Sequence, residues 1–172
     1  VVLDARKPLP GLADSKQLTA AQRERLVPLV HDAAIAWAIA QASPDEIRAS
    51  NILRASLLAM LRAFAGLGWS GQRLEIIADG NFYPPGLPPG RAVVRGDALI
   101  PAISAASILA KVHRDRLMCE LAKEHPQFSF SRHKGYPTPQ HLRELSEHGP
   151  LPLLHRENFA PVRHCLQARL LP

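Results

Sequence analysis

Two aspartates, Asp79 and Asp97, each stand at or just beyond a short apolar run, Leu74-Glu75-Ile76-Ile77-Ala78 for the first and Ala92-Val93-Val94 for the second. In α/β chains the carboxyl ends of strands are where ligand sites form. If the two runs are neighbouring strands, their acids project into one space. Two acids that close must either hold a proton or share a cation. Oxygen donors with no His or Cys set beside them suit a hard ion such as Mg²⁺ or Mn²⁺. The competing reading is that each Asp only accepts hydrogen bonds from its own turn, as in Asp79-Gly80. Spacing alone leaves both open.

Three other stretches carry chemistry. Asp14-Ser15-Lys16 puts a hydroxyl, loop amides and an ammonium within one tripeptide, a candidate phosphate cradle. Beyond Asp97, a run rich in small residues carries Ser104 and Ser107 and then turns basic at Lys111, His113, Arg114 and Arg116. The two serines share a helix face, where small residues commonly serve close packing, and Lys111 is the candidate to reach phosphates. Arg132-His133-Lys134-Gly135-Tyr136-Pro137 combines basic groups with an aromatic ring fixed ahead of proline. Basic groups bind phosphate and an aromatic stacks on sugar or base, although a tyrosine there can equally cap a core. His31, His125, His141, His148 and His164 show no ligand spacing and read as core or surface histidines.

The elements that must position these residues follow from local signals. Val1-Val2-Leu3-Asp4 reads as a strand tail, with no initiator Met, and the expectation is a piece lacking an upstream strand. Thr19 caps a helix through Val30, which Pro28 is expected to kink or shorten. Residues 35–40 read as a strand. Ser43-Pro44-Asp45-Glu46 is a capping box with proline at the first helical position, and a longer helix follows near Asn51. Its Leu53, Leu57, Leu58, Leu61 and Phe64 predict one buried face, and Gly66 and Gly68 end it. Residues 83–90 hold four prolines and two glycines and read as loop. A central helix runs from about Pro101 to Lys123, Thr138 caps another that ends at Gly149, and the tail after Leu151 reads as mostly irregular. Strands alternating with helices predict an α/β fold.

The chain has 172 residues with 47% hydrophobic and 21% charged content, which suits one ordinary globular domain over residues 1–172. Its C-terminal part, from about residue 124, reads as helical. The net charge of +6 favours an acidic partner, nucleic acid first. Two cysteines, Cys119 and Cys165, form neither a disulfide framework nor a Cys-x-x-Cys motif, so a reducing cytoplasm is the expected home. No apolar run approaches a membrane span. A monomer is expected.

Taken in order, Asp14-Ser15-Lys16-Gln17-Leu18, Asp79-Gly80-Asn81, Gly96-Asp97, the segment from Ile103 through Lys111-Val112 with Arg114-Asp115, His133-Lys134-Gly135-Tyr136-Pro137-Thr138, Leu154-His155-Arg156 and Phe159-Ala160-Pro161-Val162 resemble bacterial ribonuclease HII, a type 2 ribonuclease H. The likeness spans nearly the whole chain. It implies a ribonuclease H-like fold with a mixed central sheet flanked by helices and a C-terminal helical region. It also implies endonucleolytic cleavage of the RNA strand of RNA–DNA hybrids, including single ribonucleotides embedded in duplex DNA, leaving a 3′-hydroxyl and a 5′-phosphate. The family uses four carboxylates and two divalent ions, Mg²⁺ or Mn²⁺. Asp79 and Asp97 match two of the four as catalytic and metal-binding residues. Tyr136 matches the tyrosine that packs on the sugar at the junction, and Ser15 and Lys16 match the phosphate-contacting loop. Lys111 and Lys134 complete the expected substrate contacts.

One departure stands out. The family's Asp-Glu-Ala-Gly-Arg-Gly motif, which supplies the other two carboxylates, is absent from these residues. The expectation is therefore that this chain alone is inactive or weakly active. Two alternatives follow: a hybrid-binding module without turnover, and a Mg²⁺-dependent enzyme for small phosphorylated molecules.

Overall fold

Strand β1 (Val2–Leu3) pairs antiparallel with β2 (Ala34–Ala36), and β3 (Ile76–Asp79) pairs parallel with β4 (Gly90–Val93). Parallel and antiparallel pairing are thus both present, as two separate two-stranded sheets among the described residues. The computed structural model describes residues 1–12, 18–71 and 74–170, the last two by backbone alone. The chain gathers into two units, Val1–Gln41 with Ser56–His113, and Ala42–Ala55 with Arg114–Pro172.

In the first unit, helix α1 (Ala20–Ala33) joins β1 to β2. Its start is the expected one: Gln22 N–H donates to Thr19 Oγ1 at 3.2 Å, and the Thr19 N–H donates back to Gln22 Oε1 at 2.7 Å. Pro28 does not shorten the helix, which continues to Ala33. Proline removes one helical hydrogen bond, but Leu26, Val27 and Val30 bury their side chains around it and hold the turn. Because the helix runs on, β2 starts at Ala34 and ends at Ala36, shorter than the strand expected over residues 35–40.

Helix α2 (Pro44–Ala49) starts on the Ser43 capping box, with Glu46 N–H donating to Ser43 Oγ at 3.2 Å. Helix α3 (Ile52–Gly66) follows. Its leucine face is not buried as expected. Leu53 is 40% exposed, and Ala55 is the buried residue of the helix. Phe64 instead lines an apolar cavity of about 550 Å³ within the first unit, together with Val1, Leu3, Ile76, Ala78 and Ile103. β1 borders this cavity and so does β3, and among the described residues each pairs on one edge only. Of the five expected face residues Phe64 lines that space, beside Ala59, Met60 and Ala63 of the same helix.

Helix α4 (Gly96–Leu99) is short, and helix α5 (Pro101–Glu124) is the long central helix, close to the expected span. Ala105, Ile108, Leu109 and Val112 of α5 pack with Leu26, Val27 and Val30 of α1 to form the core of the first unit, with Val1 and Leu3 against it. Full burial of an aliphatic side chain of this size contributes about 1.5–3 kcal/mol.

In the second unit, α6 (Phe130–His133), α7 (Pro139–His148) and α8 (Ala160–Leu170) complete the chain. Thr138 caps α7 through its side chain, accepting from His141 N–H at 3.2 Å. Helix α8 corrects the expectation of an irregular tail. Its apolar residues show little periodicity, yet Val162 is buried with Met118, Phe128, Phe130 and Leu145, and Phe159 and Leu166 pack around them. Tertiary contact, not an amphipathic pattern, makes this segment a helix. No helix among the described residues is long and apolar enough to cross a membrane.

Candidate active site

Asp79 is the last residue of β3 and stands opposite Val93 in the parallel register. The two strands are neighbours, as the acid pairing requires. Asp97 is placed differently from the expectation. β4 stops at Val93, Arg95 takes a left-handed conformation at φ 57°, and Asp97 falls in the first turn of α4 rather than at a strand end. A non-glycine residue in that region costs about 1–3 kcal/mol and persists only where its surroundings fix it. Here the turn is fixed by backbone bonds from Ala98 to Arg95 (3.1 Å) and from Ile100 to Gly96 (2.8 Å).

Asp79 is joined to the turn that carries Asp97. Gly96 N–H donates to Asp79 Oδ1 at 2.8 Å. A Cβ at Gly96 would lie 2.5 Å from Ile103 Cδ1 and 3.4 Å from Asp79 Oδ1. A methyl there would force the buried Ile103 side chain to shift, while Asp79 Oδ1 would sit at contact distance. Asp97 is 4% exposed. A buried carboxylate needs hydrogen bonds or a cation to offset desolvation.

These two carboxylates fit the oxygen preference of a divalent ion. Among the described residues, no cluster of three or more His, Cys, Asp or Glu is grouped to hold a metal. Two carboxylates suit one hard cation and fall short of the ligand set that fixes a pair.

Ser104 on α5 is 3% exposed, and Ser107 lines the apolar cavity. Lys111 lies half-buried on the same helix. Ser15 and Lys16 lie outside the described residues.

In the second unit, the basic stretch is only partly loop: Arg132 and His133 belong to α6, and Lys134 ends it in a left-handed conformation at φ 52°. Lys134 Nζ donates to Cys119 Sγ at 2.9 Å and to the Asp115 carbonyl at 3.3 Å, so α5 holds its ammonium. Gly135 follows at φ 76°, a turn that favours glycine. Tyr136 is 53% exposed, so the ring is not a core cap.

Beneath this turn lies a buried network that the sequence reading missed. His133 Nε2 is 2.8 Å from Glu144 Oε2, which also accepts from Ser129 N–H at 3.1 Å. His141 stacks on His133 with ring centroids 4.1 Å apart. His141 Nε2 is 3.1 Å from His155 Nε2. Burial pushes the His155 imidazole down to about 4, with the nearby His141 and His133 adding to the effect. Burial also lowers His141, against the Tyr136 carbonyl that favours its proton. Burial raises Glu144, but hydrogen bonds from Ser129 and His133 outweigh it and the net shift is downward. A signal existed: His141, Glu144 and Leu145 recur at helical spacing, but two polar residue types disguise the buried face.

The comparisons with known proteins agree with one another. The ribonuclease HII family model matches residues 8–162. The chain is 52% identical over 164 residues to a ribonuclease HII of Chromobacterium violaceum, covering 95% of this chain and 81% of that one. It is 53% identical over 171 residues to a ribonuclease HII of Cupriavidus necator, covering 99% and 71%. Among solved structures, the ribonuclease H2 of Pyrococcus horikoshii OT3 matches with a TM-score of 0.69 at 22% identity, covering 94% of this chain and 83% of that one. That last likeness concerns the fold.

Proposed function

The chain belongs to the ribonuclease HII family, and from that premise we propose that it hydrolyses the RNA strand of RNA–DNA hybrids, including single ribonucleotides embedded in duplex DNA. It is an endoribonuclease of the ribonuclease H type. The observation that carries the finer reading is the join of Asp79 to the Asp97 turn through Gly96 N–H, at 2.8 Å. It gives two acids from neighbouring segments one fixed setting.

Asp79 and Asp97 are the residues that would hold Mg²⁺ or Mn²⁺. When bound there, such an ion would supply Lewis-acid stabilisation of the charge that develops at the scissile phosphate. The chain's own residues bind and orient. Lys111 and Lys134 offer positive charge to phosphates, Ser15 and Lys16 belong to the phosphate-contacting loop, and the exposed Tyr136 ring packs on the sugar. With only two of the family's four carboxylates, these 172 residues fall short of robust turnover. Among the described residues β1 and β3 each pair on one edge only beside an apolar cavity, which leaves room there for a further strand.

The test is cleavage, with Mn²⁺, of a duplex holding one ribonucleotide. The 172-residue chain is expected to cut it weakly or not at all. The same chain preceded by a strand bearing the motif is expected to cut at the ribonucleotide. An extended chain that folds and stays inert, or one that cuts all-DNA duplex equally well, overturns the proposal.

The shortage of acids also favours a second reading, a module that holds hybrid duplex without cutting it. Salt-dependent binding with no turnover, even in the extended chain, would mark it. The small-molecule enzyme has no observation in its favour.

A further inference from the structure

The turn that carries Tyr136 is held by hydrogen bonds whose direction is dictated from both ends. The Leu151 amide is only a donor, so His155 Nδ1 accepts from it at 2.8 Å. The neutral His155 ring then carries its proton on Nε2. At the other end the Tyr136 carbonyl is only an acceptor, so His141 Nδ1 carries a proton and donates at 3.0 Å. His141 Nε2 is left as an acceptor, and it receives the His155 Nε2–H at 3.1 Å. Every donor meets an acceptor only while both rings are neutral. A second proton on His141 sets N–H against N–H, and one on His155 opposes the Leu151 amide.

Packing holds the two rings in that state. His141 is 5% and His155 8% exposed. His133 covers one face of His141 and is itself fixed by Glu144 and by Gly135 N–H, which donates to its Nδ1 at 3.2 Å. Phe128 and Phe130 meet His141 edge-on, with centroids 6.1 and 5.9 Å away. The titratable groups around the pair are His133, Glu144, His148 beyond Phe128, and His125. The Tyr136 ring, more than half exposed, is not located by core packing. Its backbone is: Tyr136 N–H donates to the His133 carbonyl at 2.8 Å, and its own carbonyl accepts from Thr138 N–H at 2.8 Å besides His141.

We propose that His141 and His155 are positioning residues: the relay from Leu151 through His155 and His141 fixes the Tyr136 carbonyl and thereby aims the Tyr136 ring at the nucleic acid. This rests on the reading above that the ring meets the substrate.

The experiment is fluorescence anisotropy of a labelled RNA–DNA hybrid with the full chain, measured across a salt series, alongside thermal unfolding. Tyr136→Ala is expected to weaken binding about tenfold without changing the salt slope, because stacking is lost and phosphate contacts are not. His141→Phe keeps an aromatic ring but has no donor for the carbonyl. It is expected to weaken binding roughly three- to tenfold, also with an unchanged salt slope. His141→Asn restores an amide donor near the Nδ1 position and is expected to recover most of the affinity. His155→Asn, which keeps an acceptor for Leu151 and loses the donor to His141, gives a second route if His141→Phe fails to fold.

Folded His141 and His155 variants that bind like the parent, while Tyr136→Ala does not, overturn the relay and spare the substrate reading. A Tyr136→Ala chain that binds like the parent overturns both. Failure of Asn to recover what Phe loses also overturns the relay.

Discussion

Asp79 Oδ1 accepts the backbone N–H of Gly96 at 2.8 Å, which ties the end of β3 to the turn that carries Asp97. One acid is thus positioned by a strand and the other by a helix start, and a single backbone amide couples them. The coupling calls for a small residue at position 96, because a side chain there displaces the buried Ile103.

Gly96→Ala tests that requirement. The added methyl meets Ile103 Cδ1 at 2.5 Å, so this buried side chain must shift, and overpacking of this kind costs about 1–3 kcal/mol. The unfolding midpoint is expected to drop, and Mn²⁺ affinity to drop with it because the acids part. An alanine variant matching the parent in both measurements would show that the close approach is dispensable.

Asp97→Asn separates charge from shape. The amide keeps the volume of the buried side chain but removes a negative charge, and cation affinity follows ligand charge count. Mn²⁺ binding, followed by the loss of the free-ion paramagnetic resonance signal, is expected to weaken about tenfold or more. Asp4→Asn, at a side chain paired with Arg6 in the N-terminal turn, serves as the control and leaves it unchanged.

Stability should fall in acid over a definite window. His155 titrates at 6.5 in the unfolded chain and is held down to about 4 by burial when folded. As pH falls, the unfolded chain takes up this proton first. The contribution is therefore complete above 6.5 and is lost progressively as pH falls toward about 4. His141, lowered in the same direction, adds to the loss. Glu144, a carboxylate lowered on folding, contributes above its ordinary value of 4.5 and gives that up lower still. Urea midpoints measured at several pH values are expected to decline through this window, less steeply in His155→Asn. A flat profile contradicts the neutral network.

The sequence by itself was sufficient where the signal is local or carried by motif. Thr19 and Ser43 start α1 and α2 because their side chains satisfy amides three residues on, which needs no tertiary partner. Asp79 reads as a strand-end acid because Ile76-Ile77-Ala78 precede it and a glycine follows. The ordered motifs placed the chain in its family.

Other features needed the folded chain. Pro28 stays inside α1, and residues 160–170 form α8, because buried contacts outweigh a missing bond in one case and weak periodicity in the other. Asp97 moved from a strand end to a helix start because Arg95 turns left-handed, a choice that no neighbour in sequence dictates. The histidine relay joins residues 136, 141, 151 and 155: its two end bonds are local, but only packing brings the His141 and His155 rings together and so sets one proton order for both. Residue types encoded which groups can donate and accept. Packing decided which of them meet, because burial removes the water that would otherwise satisfy each one alone.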